Sequence, residues 1–116
     1  MWAQLVSADV SMRQVFVDIQ NESNGRASDM VASNYVLAAG ITLSAANGWM
    51  RHYGRKQIYC QPHDLALGLK DYQRIVLAEY RVSKKNIDAI DTAEGSPLAI
   101  LSFTLLAGLV KEYPCN

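Results

Sequence analysis

Shortages define this chain first, and each one closes off a class of function. Net charge is absent: eleven Lys and Arg balance eleven Asp and Glu, for a pI near 6.7. That leaves no broad basic surface for nucleic acid or an anionic membrane. Long apolar runs are missing too. The most apolar stretch, residues 35–46, is shorter than a bilayer span and is interrupted by Gly40, Thr42 and Ser44. No membrane insertion is expected from it. After Met1 there is no basic n-region and no long apolar h-region. A cytosolic protein, or a mature chain carrying a new initiator methionine, would read this way. Histidine and cysteine are scarce, with His52, His63, Cys60 and Cys115 the whole supply. Their spacing offers neither a CxxC nor an HxxxH pair, so no metal and no cofactor is expected. The two cysteines each sit just outside a predicted helix. An isolated pair in loops fits one disulfide in an oxidising compartment, and two unrelated thiols fit a reducing one.

What is present is apolar periodicity. Half of the 116 residues are hydrophobic and 19% are charged, an ordinary balance for one globular domain with one core. Residues 1–10 show no clear period and read as an N-terminal arm, either packed or poorly ordered. Ser11 and Gln14 have the spacing of a capping box, and Met12, Val15, Phe16 and Ile19 recur at helical intervals, which predicts a helix over about 11–22. The turn-forming stretch 21–28 (NESNGRAS) follows. From Ser28 to Tyr53 the chain is apolar almost all round a helical wheel, and much of that surface is Ala or Gly. Such a helix is normally buried, so it is expected at the centre of the domain, capped by Ser28 or Asp29 and ended by Gly54.

Pro62 and Asp64 suit a helix start, and Leu65, Leu69, Tyr72, Val76 and Tyr80 mark one stripe, predicting a third helix over about 63–82. Residues 82–95 read as a polar connector with one or two helical turns. Ser96 and Pro97 then open a last helix, with Leu98, Leu101, Leu105, Leu109 and Tyr113 on its main face. Ile100, Phe103, Leu106 and Val110 widen that face. The expected fold is all-α: a single domain spanning residues 1–116, with four main helices bundled around the small-residue helix.

Candidate chemistry is thin. Cys60 and His63 could pair as thiolate and imidazole, but Pro62 intervenes and no third group or oxyanion site accompanies them. Arg51, His52, Arg55 and Lys56 complement a helix C-terminus, with a partner contact as the alternative. The acidic segment 86–96 offers more. Asp88, Asp91 and Glu94 have no Lys or Arg beside them after Lys85. This reads either as a solvated loop or as an acidic projection held out by a rigid scaffold for another protein.

The second half carries a sequence of motifs. An Ala/Gly-rich helix ends in an aromatic, and Tyr59–Cys60–Gln61–Pro62 supplies aromatic–Cys–x–Pro. An amphipathic helix and a polar connector follow, and the last helix closes on Tyr113–Pro114–Cys115. In order and spacing this resembles the immunity proteins of type VI secretion amidase effectors, over about residues 34–115. The family's usual signal peptide is missing here, so the compartment rests on the cysteines. The resemblance implies a periplasmic helical protein with a Cys60–Cys115 disulfide. On the chain-entropy account such a bond stabilises the fold by about 4 kcal/mol. It also implies a function without catalysis, in which the protein binds a secreted peptidoglycan amidase, a papain-like cysteine hydrolase, and blocks its active-site cleft. The producing cell is thereby protected from its own toxin. Homodimers and a loop entering the enzyme groove are further implications.

By position and charge, the candidate partner-binding residues are Asp88, Asp91, Glu94 and Ser96, with Lys84, Lys85 and Asn86 beside them. Three readings compete with this one. A small periplasmic chaperone would use wide apolar faces to hold unfolded clients. An enzyme would need an assembled polar site, and a cytosolic regulatory domain would keep both thiols free.

Overall fold

The computed structural model describes residues 11–26, 29–62, 64–91 and 97–116, with residues 88–91 described by their backbone. Among the described residues, four helices pack into one body: α1 (Met12–Ser23), α2 (Val31–His52), α3 (Leu69–Asp91) and α4 (Pro97–Glu112). Among the described residues there is no strand, and no helix is long and apolar enough to cross a membrane. The all-α bundle expected from the sequence is the fold observed. What was read into residues 1–10, Ser28, His63, Glu94 and Ser96 lies outside the described residues.

Helix α1 starts as its sequence predicts. Ser11 is extended, and its Oγ accepts a hydrogen bond from the Gln14 backbone N–H at 3.2 Å. The Gln14 side chain does not complete a reciprocal box. It turns along the helix and donates to Asp18 Oδ1 at 2.9 Å. Met12, Val15, Phe16 and Ile19 are buried on the inward face. The helix closes through Gly25, whose φ of 72° lets the Gly25 N–H reach Glu22 O and the Arg26 N–H reach Asn21 O. Gly54, at φ 66°, ends α2 in the same way through Arg51 O and Met50 O. Both are the left-handed glycine closures that satisfy the last helical carbonyls.

The N-terminus of α2 is satisfied by a residue far from it in sequence. Met30 precedes the first helical residue and makes no side-chain cap. Instead the buried carboxylate of Glu22, at the end of α1, accepts from the Ser33 backbone N–H at 2.7 Å. A carboxylate on first-turn N–H groups is favoured both as a hydrogen bond and by the helix dipole. The Ser33 hydroxyl in turn accepts from Gln73 Nε2 at 2.7 Å, so this polar chain ties α1, α2 and α3 together inside the bundle.

Helices α2 and α3 each touch all three other helices. Glycine makes two of these contacts possible. The Tyr72 ring lies where a Cβ on Gly40 would stand, 2.6 Å from its carbons, and the Ile75 side chain crowds Gly108 of α4 in the same way. Helix α3 therefore lays Tyr72 into a notch on α2 and Ile75 into a notch on α4. The small residues of α2 serve close approach on that side.

Full burial of α2 is not observed. Its inward stripe is Ala32, Ser33, Val36, Gly40 and Asn47, while Ala38, Ile41, Ala45 and Trp49 face solvent. A helix apolar all round can be enclosed only if neighbours cover both sides, and three partners gathered on one side leave the other open. Phe103 of α4 departs similarly: it is 72% exposed rather than part of the packed face.

Helix α3 begins later and ends later than its apolar stripe suggests. Pro62 opens an isolated turn, with Leu65 N–H donating to Pro62 O at 3.1 Å and the Gln61 side chain donating to Leu65 O. The helix starts where Asp71 Oδ2 accepts from the Gly68 N–H at 2.9 Å. It then runs through the stretch read as a connector, because no glycine or proline interrupts residues 69–91. The Ser83 hydroxyl bonds to Glu79 Oε2 at 2.8 Å within that run.

Candidate functional site

Three surfaces merit attention, and the disulfide end of the bundle holds the first in place. Cys60 and Cys115 are bonded, with Cα atoms 4.9 Å apart and a sequence separation of 55. Beside the bond, the Cys60 N–H donates to Tyr113 O at 2.7 Å. Asn47 fixes the approach of this segment to α2. Its Oδ1 accepts from Ile58 N at 2.9 Å, and its Nδ2 donates to Tyr59 O at 2.7 Å and to Gln57 Oε1 at 3.2 Å. One buried amide thus substitutes for a strand partner along residues 57–59. Tyr59 is buried to 1% exposure, and its hydroxyl has no hydrogen-bond partner of normal geometry. Burial raises its pKa to about 12; Tyr72 adds to the rise and the Ser44 hydroxyl opposes it. With both sulfurs joined, neither can serve as a nucleophilic thiolate or a thiolate metal ligand. Among the described residues, no three His, Cys, Asp or Glu side chains converge as a metal site would require.

The second surface is the outward stripe of α2. Ile41 and Trp49 are each 57% exposed, and Tyr53, just past the helix, is 60% exposed. Trp49 and Tyr53 lie in contact with ring centroids 4.8 Å apart, and His52 meets Tyr53 edge-on at 4.8 Å. Arg51, Arg55 and Lys56 are exposed around them. Exposed Trp, Tyr and Arg set on a flat, small-residue helix face are the residue types that dominate protein–protein contacts. Only the position of these aromatics opposite the Gly40 stripe assigns them outward.

The third surface is the end of α3, where the sequence placed its partner-binding residues. Lys84, Lys85 and Asn86 are exposed on the helix. Asp88 lies in its final turn and Asp91 is its last residue. They belong to a helix rather than to a loop, because no glycine or proline interrupts residues 69–91. Ile87 is buried and anchors this turn to the core. Glu94 and Ser96 fall in residues 92–96, outside the described residues. The seven candidates are therefore brought together only in part. Lys84 also borders a groove between α1 and α3 lined by Phe16, Val17, Leu77 and Tyr80, a feature that sequence spacing did not reveal.

Comparison with protein-family models, with curated proteins and with solved structures finds no match for the chain. The functional reading rests on the chain's own residues.

Proposed function

We propose that this protein is a non-catalytic binding module, an immunity protein that occupies the active-site cleft of a type VI secreted peptidoglycan amidase. The observation that carries the reading is the Cys60–Cys115 bond. It closes the aromatic–Cys–x–Pro element onto the aromatic–Pro–Cys element, as the family resemblance implies, on an all-helical scaffold. A disulfide spanning this length of chain suits an oxidising compartment, which for such a protein is the periplasm. The carboxylates at the end of α3 supply the docking element. Asp88 and Asp91 lie on helical backbone anchored by Ile87, so that backbone is pre-organised and loses little conformational entropy on binding. The outward stripe of α2 fits a homodimer contact, because a flat Ala-rich face with Ile41 and Trp49 can pack on its own copy.

The test is titration of the protein against a type VI peptidoglycan amidase encoded in the same genome, following heat and hydrolysis of stem-peptide substrate in parallel. Nanomolar binding with stoichiometric loss of hydrolysis is expected. No binding to any such amidase overturns the reading. The chaperone alternative, which the exposed aromatics of α2 also suit, would instead give equal affinity for unrelated unfolded proteins.

A further inference from the structure

Two asparagines in this chain are followed by glycine, in the pairs Asn24–Gly25 and Asn47–Gly48. Such a pair carries its own reactivity. The glycine nitrogen can attack the side-chain carbonyl carbon of the asparagine, and glycine has no Cβ to obstruct the approach. The fold treats the two pairs in opposite ways. Asn47 is only 5% exposed and its side chain is engaged at both ends. Its Oδ1 accepts from Ile58 N, and its Nδ2 donates to Tyr59 O and Gln57 Oε1. Gly48 lies inside α2, where the helix fixes its backbone.

Asn24 stands exposed just beyond α1, and among the described residues no hydrogen bond holds its side chain. Its backbone is held by the closure of the helix. At φ −89° and ψ 3° it leads into Gly25 at φ 72°, whose N–H donates to Glu22 O at 3.2 Å. Attack on the Asn24 side chain therefore follows opening of this turn. A single exposed turn at a helix end opens at far lower cost than the interior of a long packed helix.

We infer that Asn24 is a site of spontaneous modification, closing through the Gly25 nitrogen to a succinimide that water opens to isoaspartate and aspartate. In the first step a bond forms between the Gly25 nitrogen and Asn24 Cγ. The bond from Cγ to Nδ2 breaks, and ammonia leaves with the proton that the Gly25 nitrogen gives up. In the second step water adds to one of the two imide carbonyls and its bond to nitrogen breaks. Opening at the main-chain carbonyl gives isoaspartate, and opening at Cγ gives aspartate. Nothing is oxidised or reduced, and water is the one co-reactant. Isoaspartate adds a backbone carbon inside the Gly25 closure and leaves a carboxylate at the negative end of the α1 dipole. Glu22, which holds the Ser33 N–H at the start of α2, lies in the same turn. The modification thus acts on the junction of α1 and α2. The inference goes beyond the amidase reading and does not depend on it.

The experiment is incubation of the intact protein at mildly alkaline pH, followed by peptide mapping by mass spectrometry. Isoaspartate is read separately, by methyl labelling with an isoaspartyl methyltransferase. A free peptide of residues 20–30 sets the intrinsic rate for Asn24, and denatured protein sets that for Asn47. In the folded protein Asn24 is expected to convert at least about tenfold faster than Asn47, with denaturant removing most of that difference. Asn24→Gln, whose ring would need an extra carbon, should abolish the isoaspartate label at this turn with an unchanged thermal melt. The isoaspartate form, separated by ion exchange, should melt below the unmodified protein, and Asn24→Asp should stay close to it. Equal rates at Asn24 and Asn47 in the folded protein would overturn the inference. So would an Asn24 that stays intact in the fold while the free peptide converts, because the closed turn would then protect it.

Discussion

The two faces of α2 are built from nearly the same residues and do opposite things. Inward, Ala32, Val36 and Gly40 let neighbouring backbones come close, and Tyr72 fills the notch at Gly40. Outward, Ala38, Ile41, Ala45 and Trp49 meet solvent, and nothing else in the described chain covers them. Small size on one side serves packing within the molecule. On the other it makes a flat surface on which a few large side chains stand out. Composition cannot tell these apart, and the arrangement of α1, α3 and α4 around one side does.

That contrast can be broken deliberately. The largest effect should come from the clamp that keeps the 57–60 segment against the inner side of α2. Cys60→Ser with Cys115→Ser should lower stability by about 4 kcal/mol, read from denaturant melts with and without reductant. Next, Gly40→Val should cost about 3 kcal/mol, because its side chain meets the Tyr72 ring in a packed interior. A melt unchanged from the wild type would remove the notch from the account.

A smaller effect is tied to pH. Unfolded tyrosine ionises near pH 10.0, whereas burial keeps Tyr59 protonated to about 12. Between those values the unfolded chain binds fewer protons than the folded one. The stability from Tyr59 is therefore fully present below pH 10.0 and falls as the pH rises towards 12. The loss should be on the order of 2 kcal/mol. Tyr72 and Tyr113 are shifted in the same direction, chiefly by burial. Tyr59→Phe should flatten part of that slope, because the ionising hydroxyl is removed. The smallest stability change belongs to the outer face. Ile41→Ser with Trp49→Ser should shift the folding free energy by no more than about 0.5 kcal/mol. Sedimentation should nevertheless show any self-association weakened. A large destabilisation would mean that this face is structural after all.

The helices were legible wherever periodicity and local caps agreed. Ser11, Gly25 and Gly54 act within their own turns, and the start of α4 at Pro97 follows the same logic. Helix α3 was less legible at both ends. Pro62 suits a helix start, yet the helix waits for the Gly68–Asp71 bond. The polar run after Val82 weakens the apolar stripe without breaking the backbone, so a connector was read where the helix continues. The residues that organise the interior were not legible at all. Glu22 caps a helix that begins nine positions later, and Asn47 pins a segment eleven positions away. Such polar contacts depend on how helices cross, which no local pattern encodes. For the candidate site, position and charge single out the acidic residues as candidates, and the groove beside Lys84 is visible only in the packing of α1 on α3.

The central claim is that the protein acts by occupying an amidase cleft with the end of α3. The most direct measurement is amidase hydrolysis titrated with three forms: wild type, Asp88→Lys with Asp91→Lys, and Ile41→Ser with Trp49→Ser. The account predicts stoichiometric inhibition by the wild type, loss of inhibition in the α3 variant with an unchanged melt, and retained cleft-blocking in the α2 variant. Equal inhibition by the wild type and the α3 variant would contradict it.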